Sequence, residues 1–220
     1  RLLEIVHDFT VFDAGIKKVP RHNQYFGVKK AQARFLSGEG GISWHTQGSG
    51  KSITMVLLAR WILQNITCSR VAVITDREKL DKQIVGNFRN AGVAIERAGS
   101  GRDLLSKLSK PAPSIIASLV HKFGRKNVDD VDKFLEGLAA EPFPVHGKLF
   151  VFVDECHRTQ SGKLHKLMKA ILPDAVFVGF TGTPLLKKDK QASLEVLGSY
   201  IDTYKHDEAV EGRVVLDLVY

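Results

Sequence analysis

The chain has 220 residues, 44% of them hydrophobic and 25% charged, enough apolar material to bury one substantial core. No apolar run approaches the roughly 18–20 residues of a membrane span, and two distant cysteines, Cys68 and Cys156, provide neither a disulfide framework nor a zinc site. A net charge of +8 favours a polyanionic partner without identifying it.

The sequence opens on Arg rather than Met and shows no secretory signal, so a cytoplasmic segment of a longer protein is expected. Residues 1–20, RLLEIVHDFTVFDAGIKKVP, hold a short apolar stripe ending at Gly15 and Pro20 and read as a connector from a preceding domain. A helix is predicted from residue 21, where RHNQYFGVKKAQARFL offers Phe26, Val28, Ala31, Ala33 and Phe35 as a buried face.

Short β-branched runs then alternate with helical segments. The runs are GGISWH (40–45), VAVIT (71–75), VAIER (93–97), SIIASLV (114–120), KLFVFVDE (148–155) and AVFVGFTG (175–182). Helices are predicted over 51–65, 77–91, 102–110, 131–140 and 162–172. Near-continuous apolar strands alternating with helices imply an α/β fold, a mostly parallel sheet covered on both faces. EPFPVHGK (141–148) and KKDKQ (187–191) read as polar loops, and RVVLDLVY (213–220) as the start of a further strand.

Between the first of these strands and the helix after it lies HTQGSGKS (45–52). It matches the phosphate loop G-x-x-x-x-G-K-[ST] except that His45 replaces the first glycine. Thr46, Gln47, Gly48, Ser49 and Gly50 would present backbone N–H groups to phosphates, helped by the positive end of the helix opening at Lys51. Lys51 would reach the β- and γ-phosphates and Ser52 would complete a Mg²⁺ shell. An exposed Gly-Ser-Gly turn is the plainer alternative.

The strand KLFVFVDECH ends in two carboxylates, which buried strands avoid unless a cation meets them. Asp154 would hold Mg²⁺ partly through water and Glu155 would polarise the attacking water. Lys51, Asp154 and Glu155 are therefore the expected catalytic set, with ATP and Mg²⁺ as cofactors.

HTQGSGKS followed by DECH resembles the first RecA-like lobe of superfamily 2 nucleic-acid translocases. The P-loop lobe would span 21–212, with 213–220 leading toward a second lobe. RHNQ (21–24) is similar to that superfamily's glutamine motif, which implies that Gln24 reads adenine with support from Arg21. ITDREKLDKQ (74–83) and SLVHKF (118–123) look like nucleic-acid-contacting motifs, implicating Arg77, Ser118, His121 and Lys122 in DNA binding. FTGTP (180–184) resembles the coupling motif, so Thr181, Gly182 and Thr183, with His157 of the DECH box, would link nucleotide state to the DNA groove.

Taken together, HTQGSGKS, FVDECHRTQSG and GFTGTPL resemble the motor subunit of type I restriction endonucleases more than RNA helicases, and both flanks look like that family too. The resemblance implies ATP-driven movement of double-stranded DNA in a complex with methyltransferase and specificity subunits, away from membranes. It also implies a nuclease of the PD-(D/E)-x-K kind, but no Asp or Glu here is followed two residues later by Lys, so that centre is expected elsewhere. Without the second lobe's arginine finger, this chain alone should hydrolyse ATP poorly. Another superfamily 2 motor, such as a type III restriction subunit or a repair helicase, is the nearest alternative. A non-hydrolysing nucleotide switch and a small-molecule P-loop kinase are the remaining ones.

Overall fold

The computed structural model describes residues 1–75, 77–119, 144–156, 168–183, 194 and 197–216. Residues 1–20 form helix α1 (Leu2–Asp8) and an antiparallel hairpin of β1 (Val11–Asp13) and β2 (Ile16–Lys18). Phe9 and Val11 lie in the main core, so part of this expected connector packs as core. Helix α2 (His22–Leu36) follows, with Gln24 accepting from the Arg21 amide at 2.8 Å to close its first turn.

The sheet strands are β3 (Gly41–His45), β4 (Ser69–Thr75), β5 (Glu96–Arg97), β6 (Ile115–Leu119), β7 (Lys148–Asp154), β8 (Val176–Thr181) and β9 (Tyr200–Tyr204). They lie in the order β5-β6-β4-β7-β8-β3-β9, and every neighbouring pair is parallel. Helices α3 (Lys51–Asn65), α4 (Glu78–Asn90), α5 (Gly101–Leu108) and α6 (His206–Glu211) complete the described elements.

Because side chains alternate across a strand, each central strand feeds two cores. Val71, Val73, Phe150 and Phe152 join Val28, Phe35, Met55, Ile62, Ile84 and Phe88 on the face covered by α2, α3 and α4. Ala72, Ile74, Leu149, Val151 and Val153 face the other way, against Leu104, Leu105 and Leu108 of α5 and Met168, Ile171 and Leu172. Complete burial of a side chain such as Phe150 is worth about 1.5–3 kcal/mol, and both faces gain at that rate. This is the doubly covered parallel sheet that the alternating pattern implies.

Four expectations change. Ala33 is exposed, while Tyr25 and Gln32 are buried, because the inward stripe of α2 runs 25, 28, 32, 35 at helical spacing. Only Glu96 and Arg97 of the run 93–97 pair as strand, since the Val93 amide is still bonded to Phe88 O at 2.9 Å, closing α4. Residues 213–216 are not strand: the Val214 amide returns to Ala209 O at 2.8 Å and Arg213 takes a left-handed φ of 53°, wrapping the end of α6. The edge strand β9 was not anticipated. The helix predicted over 131–140 and the loop at 187–191 lie outside the described residues.

Candidate nucleotide site

In a parallel sheet every strand delivers its C-terminal end to the same edge, where ligands of open α/β folds gather. Here β3, β8 and β7 are consecutive neighbours, and the pairs Trp44–Thr181 and Phe180–Asp154 set their ends level. Two strand spacings separate β3 from β7, roughly 10 Å. The loop after His45 and the carboxylates at 154–155 therefore flank one gap.

The loop is built from its glycines. Gly48 and Gly50 have φ of +81° and +89°, and Gly50 is the N-cap of α3. The positive φ requires glycine, and a Cβ on Gly50 would stand 2.3 Å from Gln24 Nε2 and displace that amide. Ser49 turns the loop inward on itself, its amide and hydroxyl reaching Thr46 O at 3.3 and 2.6 Å. The first amides of α3, at Lys51 and Ser52, have no intrahelical acceptor and are the ones left for an anion. Ser52 is half-buried on the first turn of α3, while Gln47 and Gly48 are exposed.

Helix α2 holds the loop from the other side. Arg21 Nη1 donates to Gly48 O at 3.2 Å, Asn23 Nδ2 to Ser49 O at 3.3 Å, and Gln24 Nε2 to Gly50 O at 3.1 Å. Three consecutive loop carbonyls are thus held by the start of α2, while the Ser49 amide is already spent on Thr46 O. Asn23, which holds the loop at Ser49 O, is a residue that sequence reasoning missed. Its partner lies 26 residues ahead, and only the RHNQ–GSG pairing across the fold reveals it.

Lys51 Nζ donates to His45 O at 3.3 Å. Burial lowers its pKa from the ordinary lysine value, while the nearby carboxylates of Glu155 and Asp154 pull it back up. The level ends of β3, β8 and β7 put this lysine and the acidic strand end on one edge of the sheet. Asp154 is 8% exposed, and Glu155 adopts a left-handed φ of 51°, a conformation costing a non-glycine residue about 1–3 kcal/mol and typical of functional turns. Cys156 is fully buried, its thiol pKa pushed up by burial, and its amide bonds Phe180 O at 3.1 Å, so it packs rather than reacts.

Thr181 and Gly182 complete the locus. A Cβ on Gly182 would lie 2.8 Å from Gln47 Cγ and 3.0 Å from Lys51 Nζ, so the chain leaving β8 rests directly on the phosphate loop. The Thr181 hydroxyl donates to Thr183 O at 2.8 Å and accepts from the Thr183 amide at 3.2 Å, fixing that turn.

These residues fit a magnesium-bound triphosphate: a cation and free amides for phosphate, with a hydroxyl and an acidic pair for the metal. Among the described residues no group of three or more His, Cys, Asp or Glu could hold a metal alone. Magnesium suits such a site because it keeps waters and takes phosphate oxygens with few protein ligands.

Arg77 caps α4 just beyond β4 and is exposed on the same edge of the sheet. Ser118 lies inside β6 with its hydroxyl buried, so it offers no surface contact in this arrangement. His121, Lys122 and His157 lie outside the described residues. No helix among the described residues is long and apolar enough to cross a membrane.

The family model for SWI2/SNF2 ATPases matches residues 23–220. The chain is 34% identical over its whole length to a candidate type I restriction enzyme endonuclease subunit, MjaIXP, of Methanocaldococcus jannaschii. It is 31% identical, again over its whole length, to the HindI type I restriction enzyme endonuclease subunit of Haemophilus influenzae. It spans only 21% and 23% of those two relatives. The SWI2/SNF2 ATPase core of Sulfolobus solfataricus, solved with double-stranded DNA, superposes with a TM-score of 0.63 at 16% identity, over 94% of this chain and 40% of that one. Such a likeness speaks for the RecA-like fold alone. With the family model covering nearly the whole chain and the phosphate loop and acidic strand end built as above, this protein belongs to the SWI2/SNF2 ATPase family.

Proposed function

We propose that this chain is the ATP-binding lobe of an ATP-driven translocase of double-stranded DNA, working in a type I restriction endonuclease beside cytoplasmic methyltransferase and specificity subunits. The observation that carries the ATPase part is the register that sets the phosphate loop after β3 and the acidic end of β7 level on one sheet edge, with Lys51 bonded to His45 O in that loop. Similarity along the whole chain to type I endonuclease subunits supports the restriction context.

In this reading Lys51 and the amides of the phosphate loop bind the β- and γ-phosphates, while Ser52 and Asp154 would hold Mg²⁺, Asp154 partly through water. When bound there, the ion would neutralise charge that develops on the transferred phosphoryl group. Glu155 orients water and accepts its proton. A cavity of about 840 Å³ between α2, β9 and α6, lined by Arg21, His22, Phe26, Tyr204 and Arg213 among others, is roomy enough for a purine. Gln24 still has one amide hydrogen and one carbonyl lone pair beyond those used on Gly50 and Arg21, which supports recognition of an adenine edge.

Contact between Gly182 and the loop supports Thr181–Thr183 as the link from nucleotide state to DNA, and exposed Arg77 supports a phosphate-backbone contact. The absence of any carboxylate two residues before a lysine supports a nuclease centre outside these 220 residues. A triplex-displacement assay on the intact subunit tests the proposal. ATP-dependent displacement without strand separation, lost in Lys51→Ala, is expected. Unwinding of the duplex would instead favour a helicase, and displacement surviving Lys51→Ala would refute the motor.

A further inference from the structure

His45 stands where phosphate loops usually begin with glycine, and its side chain is only 1% exposed. Its Nε2 lies 2.8 Å from Oδ2 of Asp202, and Oδ1 of Asp202 meets Lys30 Nζ at 2.5 Å. Three elements contribute one residue each: α2 gives Lys30, β3 gives His45 and β9 gives Asp202. The register pairs Ser43 with Asp202 and His45 with Tyr204, which puts Asp202 diagonally beside His45 on one face of the sheet.

That face meets α2 at Gly27. A Cβ there would stand 3.0 Å from His45 Cε1 and 3.1 Å from Asp202 Oδ2, so the helix fits over the pair because it carries no side chain at this point. Burial alone would raise the Asp202 pKa, yet the hydrogen bonds from His45 and Lys30 outweigh it and the net shift is downward. An ionised carboxylate only accepts, so His45 Nε2 is the donor in this hydrogen bond.

His45 also acts through its main chain, whose carbonyl accepts from Lys51. The next residue is tied to the same edge strand, the Thr46 amide donating to Tyr204 O at 2.9 Å. Beyond α6, Val215 Cγ1 would lie 3.1 Å from a Cβ on Gly48, so the chain following β9 passes against the loop as well. The root of the phosphate loop is therefore gripped by β9.

We propose that Asp202, anchored by Lys30, is a positioning residue that sets the phosphate loop for nucleotide by fixing the His45 ring and, through it, the carbonyl on which Lys51 rests. The proposal rests on the ATP-site reading above. It gives β9 a function beyond closing the sheet, because removing the carboxylate would free the His45 ring while the backbone ladder to β3 remains.

Titration of the intact protein with a fluorescent ATP analogue tests it, each variant being measured where thermal denaturation shows it fully folded. Asp202→Ala is expected to weaken binding about ten- to a hundredfold, the scale on which loss of a partner that orients a binding group is felt. Lys30→Met should weaken it less, and the double variant no more than Asp202→Ala alone, because both act on one contact. A salt bridge that merely braced the fold would lower Tm and leave the affinity of the folded protein unchanged. Wild-type affinity in Asp202→Ala, or losses that add in the double variant, would overturn the proposal. Should Asp202→Ala fail to fold, wild-type affinity in Lys30→Met overturns it equally. Lys51→Ala separates the two ideas. If it binds nucleotide as well as wild type, the ATP site itself fails and the proposal with it; if it loses binding while Asp202→Ala keeps it, only the positioning role fails.

Discussion

Gly50→Ala probes the phosphate loop with a single carbon atom. Gly50 holds φ at +89°, where an alanine is strained by about 1–2 kcal/mol. The new Cβ would also meet Gln24 Nε2 at 2.3 Å and drive that amide off Gly50 O, a hydrogen bond of 3.1 Å worth about 1 kcal/mol. Both costs apply only while the loop holds its anion-ready shape. The empty loop sheds them by relaxing and nucleotide binding restores them, so they fall on affinity rather than on global stability. Together they come to about 2–3 kcal/mol, or roughly 30- to 150-fold in affinity. Titration of a non-hydrolysable ATP analogue measures this directly. Gln24→Ala combined with Gly50→Ala should be less impaired than the sum of the single changes, since the clash disappears with the amide. An unaltered affinity in Gly50→Ala would mean that the loop does not bind phosphate in this conformation.

Glu155→Gln should keep nucleotide affinity within roughly twofold and lower hydrolysis by about 10²–10⁴, the range of a lost general base; steady-state turnover of the intact subunit with DNA checks it. Arg77→Glu should weaken stimulation of ATPase activity by DNA and reduce the salt dependence of DNA binding, which filter binding over a salt series would show. Arg70, buried at 2% exposure, donates to Leu108 O at 2.7 Å, Lys107 O at 2.8 Å and Pro113 O at 2.6 Å, closing the end of α5. Arg70→Ala should cost at least about 2 kcal/mol, a fall of about 4–8 °C in Tm by calorimetry, with nucleotide affinity in the folded protein unchanged.

The central strands were legible because both faces of β4, β7 and β8 are buried, which leaves unbroken apolar runs bounded by turns. The phosphate loop was legible because its chemistry is local: two glycines, a lysine and a serine within five residues of a helix start. What escaped depends on partners distant in sequence. YIDTY reads as half polar, yet Asp202 is buried because Lys30 and His45, more than 150 residues earlier, neutralise and hold it. Asn23 likewise gains meaning only when α2 folds onto the loop. RVVLDLVY was misread through residue 216 because apolar content cannot distinguish a strand from a chain folding back over a helix end. Arg213 and the amides of Val214 and Val215, both bonded to Ala209 O, make the latter choice. Motif spacing located the acidic pair, whereas the left-handed backbone of Glu155 is visible only in the fold.

The central claim is that the loop at 48–52 and the carboxylates at 154–155 share one magnesium-bound triphosphate. Calorimetric titration of a non-hydrolysable ATP analogue, with and without Mg²⁺, into wild type and Asp154→Ala tests it most directly. Tighter binding with Mg²⁺ in wild type, and loss of that gain in Asp154→Ala, is the expected result. An equal gain from Mg²⁺ in both proteins would contradict it.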